Sequence, residues 1–452
     1  MFCLDAYFPY IAIKIRSFAV RSHAQHLDGL LYWQHFAHQT VLHVDAFRAK
    51  IANLNFNFKI ASMIPRAAAP TLERLAKGFP VIVLTGPRQS GKTTLAKSVF
   101  SGKTYVSLEN PDERAFALED PKRFLQRFPN GAVLDEVQRC PELLSWLQAW
   151  VDERGIMGDY VLTGSAQFDL MGGITQTLAG RVGRVELLPL SADELACANQ
   201  SHSDLNAALF KGGYPALYDR DVSPQDWFAN YIATYVERDV RQLVAVRDLS
   251  QFQTFVKMCA ARSGQLLNLS SLGADCGISS VTAKQWLSVL EASYVVTLLQ
   301  PHHRNFGKRL VKAPKLYFCD VGLAAWLLGI RDAANLDTHA SRGALFETHV
   351  VSELMKQRLN AGRPRDLYFW RDSAGNEVDV VMETAQGLQA LEIKSGSTFA
   401  SDWTDGLKRW QKFAGGESFQ PSLVYGGKSS YARDGLHVWG WQDIALITDP
   451  TT

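Results

Sequence analysis

Residues 86–93 are Gly86-Pro87-Arg88-Gln89-Ser90-Gly91-Lys92-Thr93, which fits the phosphate-binding pattern G-x-x-x-x-G-K-[ST]. The apolar run Val81-Ile82-Val83-Leu84 before them predicts a buried strand, and Thr94 to Val99 predicts a helix directly after them. The glycines let backbone N–H groups turn inward around phosphate oxygens, and the helix N-terminus adds positive potential at the same point. This stretch therefore predicts an α/β core with a nucleotide site for ATP and Mg²⁺.

The last two residues of the loop carry the side chains that contact the phosphates and the metal. Lys92 is expected to reach the β- and γ-phosphates, and the Thr93 hydroxyl is expected to ligate Mg²⁺. The other positions expected to line the nucleotide are Gly86, Pro87, Arg88, Gln89, Ser90, Gly91 and Thr94.

A second motif, Ala132-Val133-Leu134-Asp135-Glu136, places two acids at the C-terminal end of an apolar strand. Phosphoryl transfer needs an acid in the Mg²⁺ shell and a group that orients the attacking water. Asp135 is predicted to lie near the Mg²⁺ that Thr93 ligates, and Glu136 is predicted to orient the water. Between the two motifs the sequence contains one more strand, Tyr105 to Leu108, as P-loop enzymes with a catalytic glutamate do.

Two further segments supply candidates for contacting the γ-phosphate. An apolar stretch that begins at Tyr160 ends in Thr163-Gly164-Ser165, and Ser165, or alternatively Thr163, is predicted to hydrogen-bond to the γ-phosphate. Arg181 and Arg184 come just before a predicted strand. Arg181 is either an arginine finger for the nucleotide of a neighbouring subunit, which implies a homo-oligomer, or an ordinary surface arginine.

Four stretches taken together resemble the prokaryotic AAA-type ATPases: Thr85 to Thr94, Leu134 to Gln138, Leu162 to Ser165 and Leu178 to Arg181. In particular they resemble the branch whose ATPase core is joined to a separate C-terminal domain. Gly212-Gly213-Tyr214-Pro215 and Tyr235 to Val240 are similar to markers of that branch, and Arg238 is a candidate second sensor. The resemblance extends from about residue 63 to the C-terminus and implies ATP binding and hydrolysis.

The stretch from Leu266 to Val296 is typical of a helix-turn-helix. A first helix begins at Leu269, a turn follows at Cys276-Gly277-Ile278-Ser279, and a second helix from Val281 to Leu290 buries Trp286. Tyr294 to Leu299 then predicts a strand, so we expect a winged-helix unit within a helical lid. Such a unit docks DNA through its second helix or packs against the ATPase core, and a helix with one lysine favours the second. The outward residues of that helix are Thr282, Lys284 and Gln285.

A basic stretch follows this unit, and sequence alone gives it two interpretations. Several cations close together either follow a phosphate backbone or form a solvated face. The residues concerned are His302, His303, Arg304, Lys308, Arg309, Lys312 and Lys315.

Four charged residues near the C-terminus form the pattern of a metal site. Glu347 lies on a predicted helix, Asp379 in a predicted strand, and Glu392 and Lys394 in the next strand. Glu392 and Lys394 point to one face because they are two residues apart, and Asp379 precedes them by the length of a hairpin. Asp379 and Glu392 are predicted to hold Mg²⁺, while Lys394 stabilises charge or positions water.

This arrangement resembles the PD-(D/E)xK nuclease fold, which has a helix acid, an Asp, a hairpin and Glu-x-Lys in that order. The pattern is complete here, although Val378 stands where the fold often has proline. The resemblance implies an α+β domain that acts on DNA, with Glu347, Asp379, Glu392 and Lys394 as its catalytic residues. Whether the domain cuts stays open, because domains of this shape can lose cleavage and keep their acids.

Length and composition limit the number of domains that the chain is expected to contain. With 452 residues, of which 47% are hydrophobic and 20% charged, the chain is globular and too long for one ordinary core. The net charge of +2 gives no general signal for nucleic acid. We expect a multidomain protein with these segments: an N-terminal extension (1–62), the P-loop ATPase (63–200), the helical region with the winged helix (201–335) and the nuclease-like domain (336–452).

The compartment is predicted from the absence of two signals. The sequence contains no apolar run of 18 residues, so no membrane span or membrane partner is expected. Its six cysteines form no CxxC pair, which favours a reducing compartment. We therefore expect a cytoplasmic protein.

The first 62 residues differ from the rest of the sequence. They contain five of the 11 histidines and many aromatic residues without a clear period. They are either an accessory helical segment or upstream sequence read through before a natural start at Met63. We favour the second interpretation because an ordered pattern begins directly after Met63. The histidines lack a close i, i+4 pair backed by an acid, so no metal site is expected among them.

These patterns leave three functions open. The first is an ATPase whose nucleotide cycle controls a nuclease-like domain acting on DNA. The second is an ATP-dependent regulatory or DNA-binding switch with a C-terminal platform that does not cut. The third is a protein-remodelling ATPase that uses no nucleic acid. The co-occurrence of a complete P-loop set with a complete PD-(D/E)xK set favours the first.

Overall fold

The computed structural model describes residues 64–165, 177–236, 249–302, 311–384, 387–414 and 419–447. All of them lie in the compact unit that begins at Met63. In this part of the chain, no helix combines the length and hydropathy that crossing a bilayer requires.

The α-helices of the described residues are α1 (Ala69–Ala76), α2 (Lys92–Val99), α3 (Pro111–Glu119), α4 (Pro121–Gln126), α5 (Leu143–Arg154), α6 (Ala192–Cys197), α7 (Leu205–Lys211), α8 (Ala216–Asp219), α9 (Pro224–Tyr231), α10 (Leu249–Ala261), α11 (Leu269–Asp275), α12 (Ser280–Ala292), α13 (Val321–Leu327), α14 (Arg342–Asn360) and α15 (Asp405–Ala414). The strands are β1 (Val81–Thr85), β2 (Thr104–Ser107), β3 (Ala132–Asp135), β4 (Tyr160–Gly164), β5 (Val182–Glu186), β6 (Gln265–Leu266), β7 (Val296–Pro301), β8 (Lys315–Phe318), β9 (Leu367–Arg371), β10 (Glu377–Thr384), β11 (Gly387–Lys394), β12 (Phe419–Tyr425), β13 (Tyr431–Arg433) and β14 (Leu436–Gly440).

The first five strands form a fully parallel sheet in the order β2-β3-β4-β1-β5. Every residue of β1 and β4 is buried, as expected for a parallel sheet that is covered on both faces. One face packs against α4 and α5 through Phe124 and Leu147, and the other packs against α1 and α2 through Leu72 and Leu95. The predicted α/β core with a parallel sheet is confirmed.

The strand order brings three strand ends together at one edge of this sheet. β4 pairs with both β1 and β3, and all three run in the same direction. Ligands of open α/β sheets bind outside the carboxyl ends of the strands, which here are Thr85, Asp135 and Gly164. Arg181 lies at the opposite edge, because Val182 after it pairs with the first residue of β1. Arg184 lies inside β5 and not before it, so that detail of the prediction is wrong.

The later strands form one nine-stranded sheet in the order β13-β14-β12-β11-β10-β9-β7-β8-β6. β7 pairs in parallel with β9 through Gln300 and Pro301. A hydrophobic cluster that includes residues from Leu188 to Ile447 continues across this junction. The segments 201–335 and 336–452 therefore share a sheet and a core.

The middle region contains α10, β6, α11, α12, β7 and β8 in chain order. The predicted pair of helices is present, and Trp286 is buried while Lys284 is exposed. The next strand begins at Val296, later than the predicted Tyr294. Tyr294 instead has a left-handed φ of 58° and is buried, and its hydroxyl donates a hydrogen bond of 2.7 Å to Thr85 Oγ1. This contact joins the middle region to β1 of the parallel sheet.

The C-terminal region begins with the long helix α14, followed by β9, β10, β11, α15 and β12. β9, β10 and β11 are antiparallel neighbours, and β12 is parallel to β11. α14 contacts β8 and β11 of the large sheet and β5 of the parallel sheet. This helix therefore joins the two halves of the molecule.

Asp320, directly before α13, connects the strand β8 to the turn at Gly212 and Gly213. Its buried carboxylate accepts N–H groups from Gly213 at 2.7 Å and from Leu323 at 2.9 Å. A Cβ added to Gly212 would lie 2.3 Å from Asp320 Oδ1, so the turn is fitted around this carboxylate. Burial raises the pKa of Asp320.

We expect the substitution Asp320→Ala to lower the free energy of unfolding by about 2–4 kcal/mol, because two buried N–H groups lose their acceptor. Urea unfolding followed by tryptophan fluorescence measures the change. Asp204→Ala is the matched control, since Asp204 caps α7 at an exposed position and its loss costs about 1 kcal/mol. Equal losses in the two variants would contradict the role assigned to Asp320.

Candidate nucleotide site and candidate acid cluster

The phosphate-binding loop joins β1 to α2. Gly86 and Gly91 have φ values of 152° and 91°, and Gln89 between them has a left-handed φ of 60°. A Cβ at position 86 would lie 2.1 Å from the carbonyl oxygen of Leu187, so only glycine fits there. Such a loop turns successive N–H groups toward its centre, where an anion binds.

Lys92 lies at the centre of this loop. Its ammonium group donates hydrogen bonds to the carbonyl oxygens of Gly86 at 3.0 Å and Pro87 at 2.7 Å. The side chain is buried, so its charge faces the interior of the loop. Residues 86–91 form the loop between β1 and α2, and Thr94 is exposed on the first turn of α2.

Asp135 accepts hydrogen bonds from three hydroxyl groups at the end of β3. Oδ1 accepts from Thr93 at 3.0 Å and also from Thr163, and Oδ2 accepts from Tyr105 at 2.7 Å. Burial, aided by the hydrogen bond to Asp135, raises the pKa of Tyr105 to about 12. A hydroxyl oxygen beside a carboxylate is the pair of ligands that P-loop sites offer to Mg²⁺. Thr93 and Asp135 fit that ion.

Glu136 directly follows the strand and has a left-handed φ of 56°, which is rare outside glycine. Its Oε2 accepts hydrogen bonds from the amide of Gln138 and from Ser165 Oγ, the latter at 3.3 Å. Ser165 and Thr163, the two candidates for contacting the γ-phosphate, therefore contact different acids. Their predicted roles as sensors stay predictions. Sequence reasoning assigned no role to Gln138, although it lies two residues after Glu136.

Arg66 is a contact of the phosphate-binding loop that sequence reasoning missed. Its guanidinium group donates to the carbonyl oxygens of Ser90 at 2.6 Å and Leu188 at 2.7 Å. It also pairs with Glu194 at 3.0 Å, and only 6% and 2% of the two side chains are exposed. Because these partners lie far from Arg66 in the sequence, no local pattern indicates the contact.

Arg181, which the sequence predicts for the nucleotide site, lies apart from the loop. Arg181 forms an exposed ion pair with Asp152, with Nε–Oδ1 at 2.6 Å, and this pairing lowers the pKa of Asp152. The arginine-finger role of Arg181 stays a prediction. Arg238 and the histidines of residues 1–62 lie outside the described residues.

The four predicted C-terminal residues come together. Asp379 on β10 accepts the backbone N–H of Ile393 at 2.8 Å, which sets it beside Glu392 on β11. Lys394 donates to Glu392 Oε1 at 2.6 Å. Glu347 reaches this group from α14, and its charge and that of Asp379 act on each other.

Burial governs the protonation of this cluster. It raises the pKa of Glu392 to about 8, and the charge of Asp379 adds to the effect. Glu392 Oε2 is buried and has no hydrogen-bond partner within the described ranges. Burial and the charge of Asp379 likewise raise the pKa of Glu347. Burial opposes the charge on Lys394, but Asp379 and Glu392 outweigh it, and the pKa of Lys394 is raised.

Lys315 is a member of the cluster that the sequence assigned elsewhere. Its ammonium group lies 2.9 Å from Glu347 Oε1 and 3.8 Å from Asp379 Oδ1, and it also pairs with Glu377. The sequence groups Lys315 with the basic stretch, as a phosphate contact or a solvated cation. That grouping is wrong for Lys315 and for His302, because both are buried, and His302 pairs with Glu383 at 3.3 Å.

In this structure, lysine ammonium groups occupy the positions beside the acids that a divalent ion would take. The carboxylates of Glu347 and Asp379 face the Lys315 ammonium group, and Glu392 accepts from Lys394. Over the residues that the structure describes, no three side chains of His, Cys, Asp or Glu are arranged to hold a metal. Mg²⁺ at Asp379 and Glu392 stays a prediction.

A comparison with solved structures gives partial likenesses. A Walker-type ATPase of Pyrococcus abyssi is 15% identical, with 61% of this chain and 98% of that chain covered at a TM-score of 0.42. Thermotoga maritima RuvB is 17% identical, with 51% and 88% covered at a TM-score of 0.29. AMPPCP-bound DnaA from Aquifex aeolicus is 14% identical, with 50% and 85% covered at a TM-score of 0.27. These likenesses are partial.

Family models and relatives match the sequence more directly. Residues 78–196 match a model described as an AAA domain, and residues 202–334 and 342–444 match two domains of unknown function. Uncharacterized proteins of Mycobacterium tuberculosis and Mycobacterium bovis are each 33% identical over 337 residues, with 74% of this chain and 74% of each relative covered. The chain therefore belongs to the family of these mycobacterial proteins, and its AAA domain is a P-loop ATPase core.

Proposed function

We propose that the chain is an ATP-hydrolysing switch whose nucleotide state is transmitted to its C-terminal domain. The observation that carries this proposal is a continuous line of buried polar contacts from Ser90 in the phosphate-binding loop to the helix α14. The line passes through Arg66 and the segment 188–194, which we call the relay segment.

The first half of the line joins the loop to the relay segment. Arg66 bonds to the carbonyl oxygen of Ser90 on one side and to Leu188 and Glu194 on the other. Glu194 also accepts the N–H groups of Ala67 and Ser191, at 2.7 and 2.9 Å. A movement of the loop on nucleotide binding therefore acts on the relay segment through a buried charge.

The second half joins the relay segment to the C-terminal domain. The N–H group of Ala192 donates to Glu353 at 2.7 Å, and Lys356 donates to the carbonyl oxygen of Leu190 at 2.9 Å. Glu353 and Lys356 are buried on α14 and pair with each other at 2.7 Å. α14 also carries Glu347 of the acid cluster, so the helix connects the two candidate sites.

In the proposed ATP hydrolysis, Lys92 binds the phosphate oxygens. Thr93 and Asp135 would hold Mg²⁺, and the ion would neutralise phosphate charge. Glu136, oriented by Gln138 and Ser165, directs the attacking water. Arg181 is partly exposed at the sheet edge away from its own loop, which supports a role as an arginine finger for the nucleotide of another copy in a homo-oligomer.

We propose further that the switch acts on DNA. The order α10-β6-α11-α12-β7-β8, with β8 between β6 and β7, supports a winged-helix unit. The order helix, three antiparallel strands, helix and parallel strand from α14 to β12 supports a PD-(D/E)xK-like domain. Cleavage of DNA is a second candidate function, and the convergence of Glu347, Asp379, Glu392 and Lys394 favours it.

The substitution Glu136→Gln is expected to leave ATP binding intact and to slow hydrolysis by about 10²–10⁴-fold, because the water loses its orienting carboxylate. Phosphate release and fluorescent ATP-analogue binding measure the two properties. Lys92→Ala is expected to lose both, and Glu142→Gln, at the exposed position directly before α5, is the control. Normal hydrolysis by Glu136→Gln would exclude the assigned role.

The substitution Arg66→Gln is expected to weaken ATP binding by about 10–100-fold, because the loop loses its charged support. Titration with a fluorescent ATP analogue measures the dissociation constant. Arg74→Gln is the matched control, since Arg74 lies exposed on α1 and makes one hydrogen bond of 3.3 Å to Ala361. An unchanged affinity of Arg66→Gln for the ATP analogue would contradict the proposed coupling between the phosphate-binding loop and Arg66.

The cleavage candidate predicts that linear, circular or single-stranded DNA is cut in the presence of ATP and Mg²⁺ or Mn²⁺. Lys394→Ala should abolish cutting while ATP turnover continues, and Lys408→Ala, an exposed lysine on α15, should cut normally. Gel assays of DNA cleavage, run in parallel with assays of ATP hydrolysis, test this candidate. ATP turnover without any DNA cleavage would be consistent with the proposed switch and would contradict the nuclease function.

A further inference from the structure

Lys315 is a buried cation that the proposed ATP cycle does not use. It is the first residue of β8, and only 3% of its side chain is exposed. An unpaired ammonium group is costly to bury, so a lysine at such a site needs carboxylate partners. Its partners identify what it does.

Those partners come from two other elements. The ammonium group contacts Glu347 on α14 at 2.9 Å, and it contacts Glu377 and Asp379 on β10, the latter at 3.8 Å. Tyr317, two residues along the same strand, donates its hydroxyl to Glu347 Oε1 at 2.5 Å. β8 therefore inserts two donors into the acid cluster from one face.

Three cations of the chain itself face the four acids of this cluster. Beyond its contact with Lys315, Glu377 pairs with Arg371 at 2.8 Å, and Glu392 pairs with Lys394 at 2.6 Å. Converging carboxylates usually collect a divalent cation, because each oxygen then meets a positive charge. Here lysine and arginine groups supply that charge.

We propose that Lys315 is the resident cation of the C-terminal acid cluster and takes the place of a divalent metal ion between Glu347 and Asp379. A divalent ion enters only when β8 withdraws this side chain. The inference rests on the proposed C-terminal site, and it adds a regulator that belongs to the chain.

β8 is well placed for such a withdrawal. It leads through Cys319 to Asp320, whose carboxylate holds the N–H group of Gly213 at 2.7 Å. Gly213 accepts the N–H of Leu190 in the relay segment, also at 2.7 Å. A displacement of the relay segment therefore acts on the strand that carries Lys315.

The test is Mn²⁺ binding to the full-length, nucleotide-free protein, measured by calorimetry and by melting temperature. The wild type is expected to show no stoichiometric binding at the cluster. Lys315→Met is expected to melt lower and to bind one Mn²⁺ per chain, which raises its melting temperature by about 3 °C or more at saturating metal. Lys315→Arg keeps the charge and is expected to bind no metal.

Lys103→Met is the matched control. Lys103 is half-buried and donates to the carbonyl oxygens of Asn130 and Asp159, both at 3.0 Å, and it lies outside the acid cluster and the relay segment. Its loss is expected to lower the melting temperature without any recovery in Mn²⁺. A recovery of the same size in both lysine variants would overturn the proposal, because it would show a general effect of the metal.

Two other outcomes overturn the proposal in distinguishable ways. If the wild type binds Mn²⁺ as tightly as Lys315→Met does, Lys315 is not the resident cation, and the result supports the DNA-cleavage function. If neither protein binds Mn²⁺, the result contradicts both this inference and metal-dependent DNA cleavage. The proposed ATP hydrolysis would not be contradicted.

A measurement on the wild type covers the case in which Lys315→Met does not fold. Acetylation of the native protein, read by mass spectrometry, is expected to modify Lys408 and to spare Lys315. Labelling of Lys315 at the rate of Lys408 would show an accessible amine and overturn the proposal.

Discussion

The buried guanidinium group of Arg66 is the contact on which the arrangement of the nucleotide site depends. Arginine offers five N–H donors in a fixed plane, and here they connect the phosphate-binding loop, the strand end at Leu188 and the carboxylate of Glu194. Both charged side chains are almost fully buried, so neither has water as an alternative partner. Removing one would leave the other charge uncompensated, which is far more costly than losing a surface ion pair.

The acid cluster follows the same electrostatic rule with a different result. In the nucleotide site, the Asp135 carboxylate accepts from neutral hydroxyls and keeps the oxygen environment that Mg²⁺ prefers. In the C-terminal cluster, Glu347 and Asp379 meet the ammonium group of Lys315 instead. The two sites thus differ less in their acids than in the groups that face those acids.

Sequence alone identified the elements whose chemistry is local. The phosphate-binding loop, the strand before Asp135 and the helix-turn-helix pair were predicted because hydrophobic period, glycine spacing and strand ends are properties of a few consecutive residues. The same holds for Glu392 and Lys394, whose shared face follows from the two-residue period of a strand. The parallel α/β core followed from strands that alternate with helices.

The tertiary structure decided the contacts between distant segments. Arg66 lies 122 and 128 residues from Leu188 and Glu194, and Lys315 lies 32 residues from Glu347, so no local period relates them. In the sequence, Lys315 is part of a basic run and is expected at the surface. In the structure it is buried and contacts acids on β10 and α14. Motifs determined which side chains are present, and packing determined which opposite charges meet, because ion pairing depends on distance in space and not on separation along the chain.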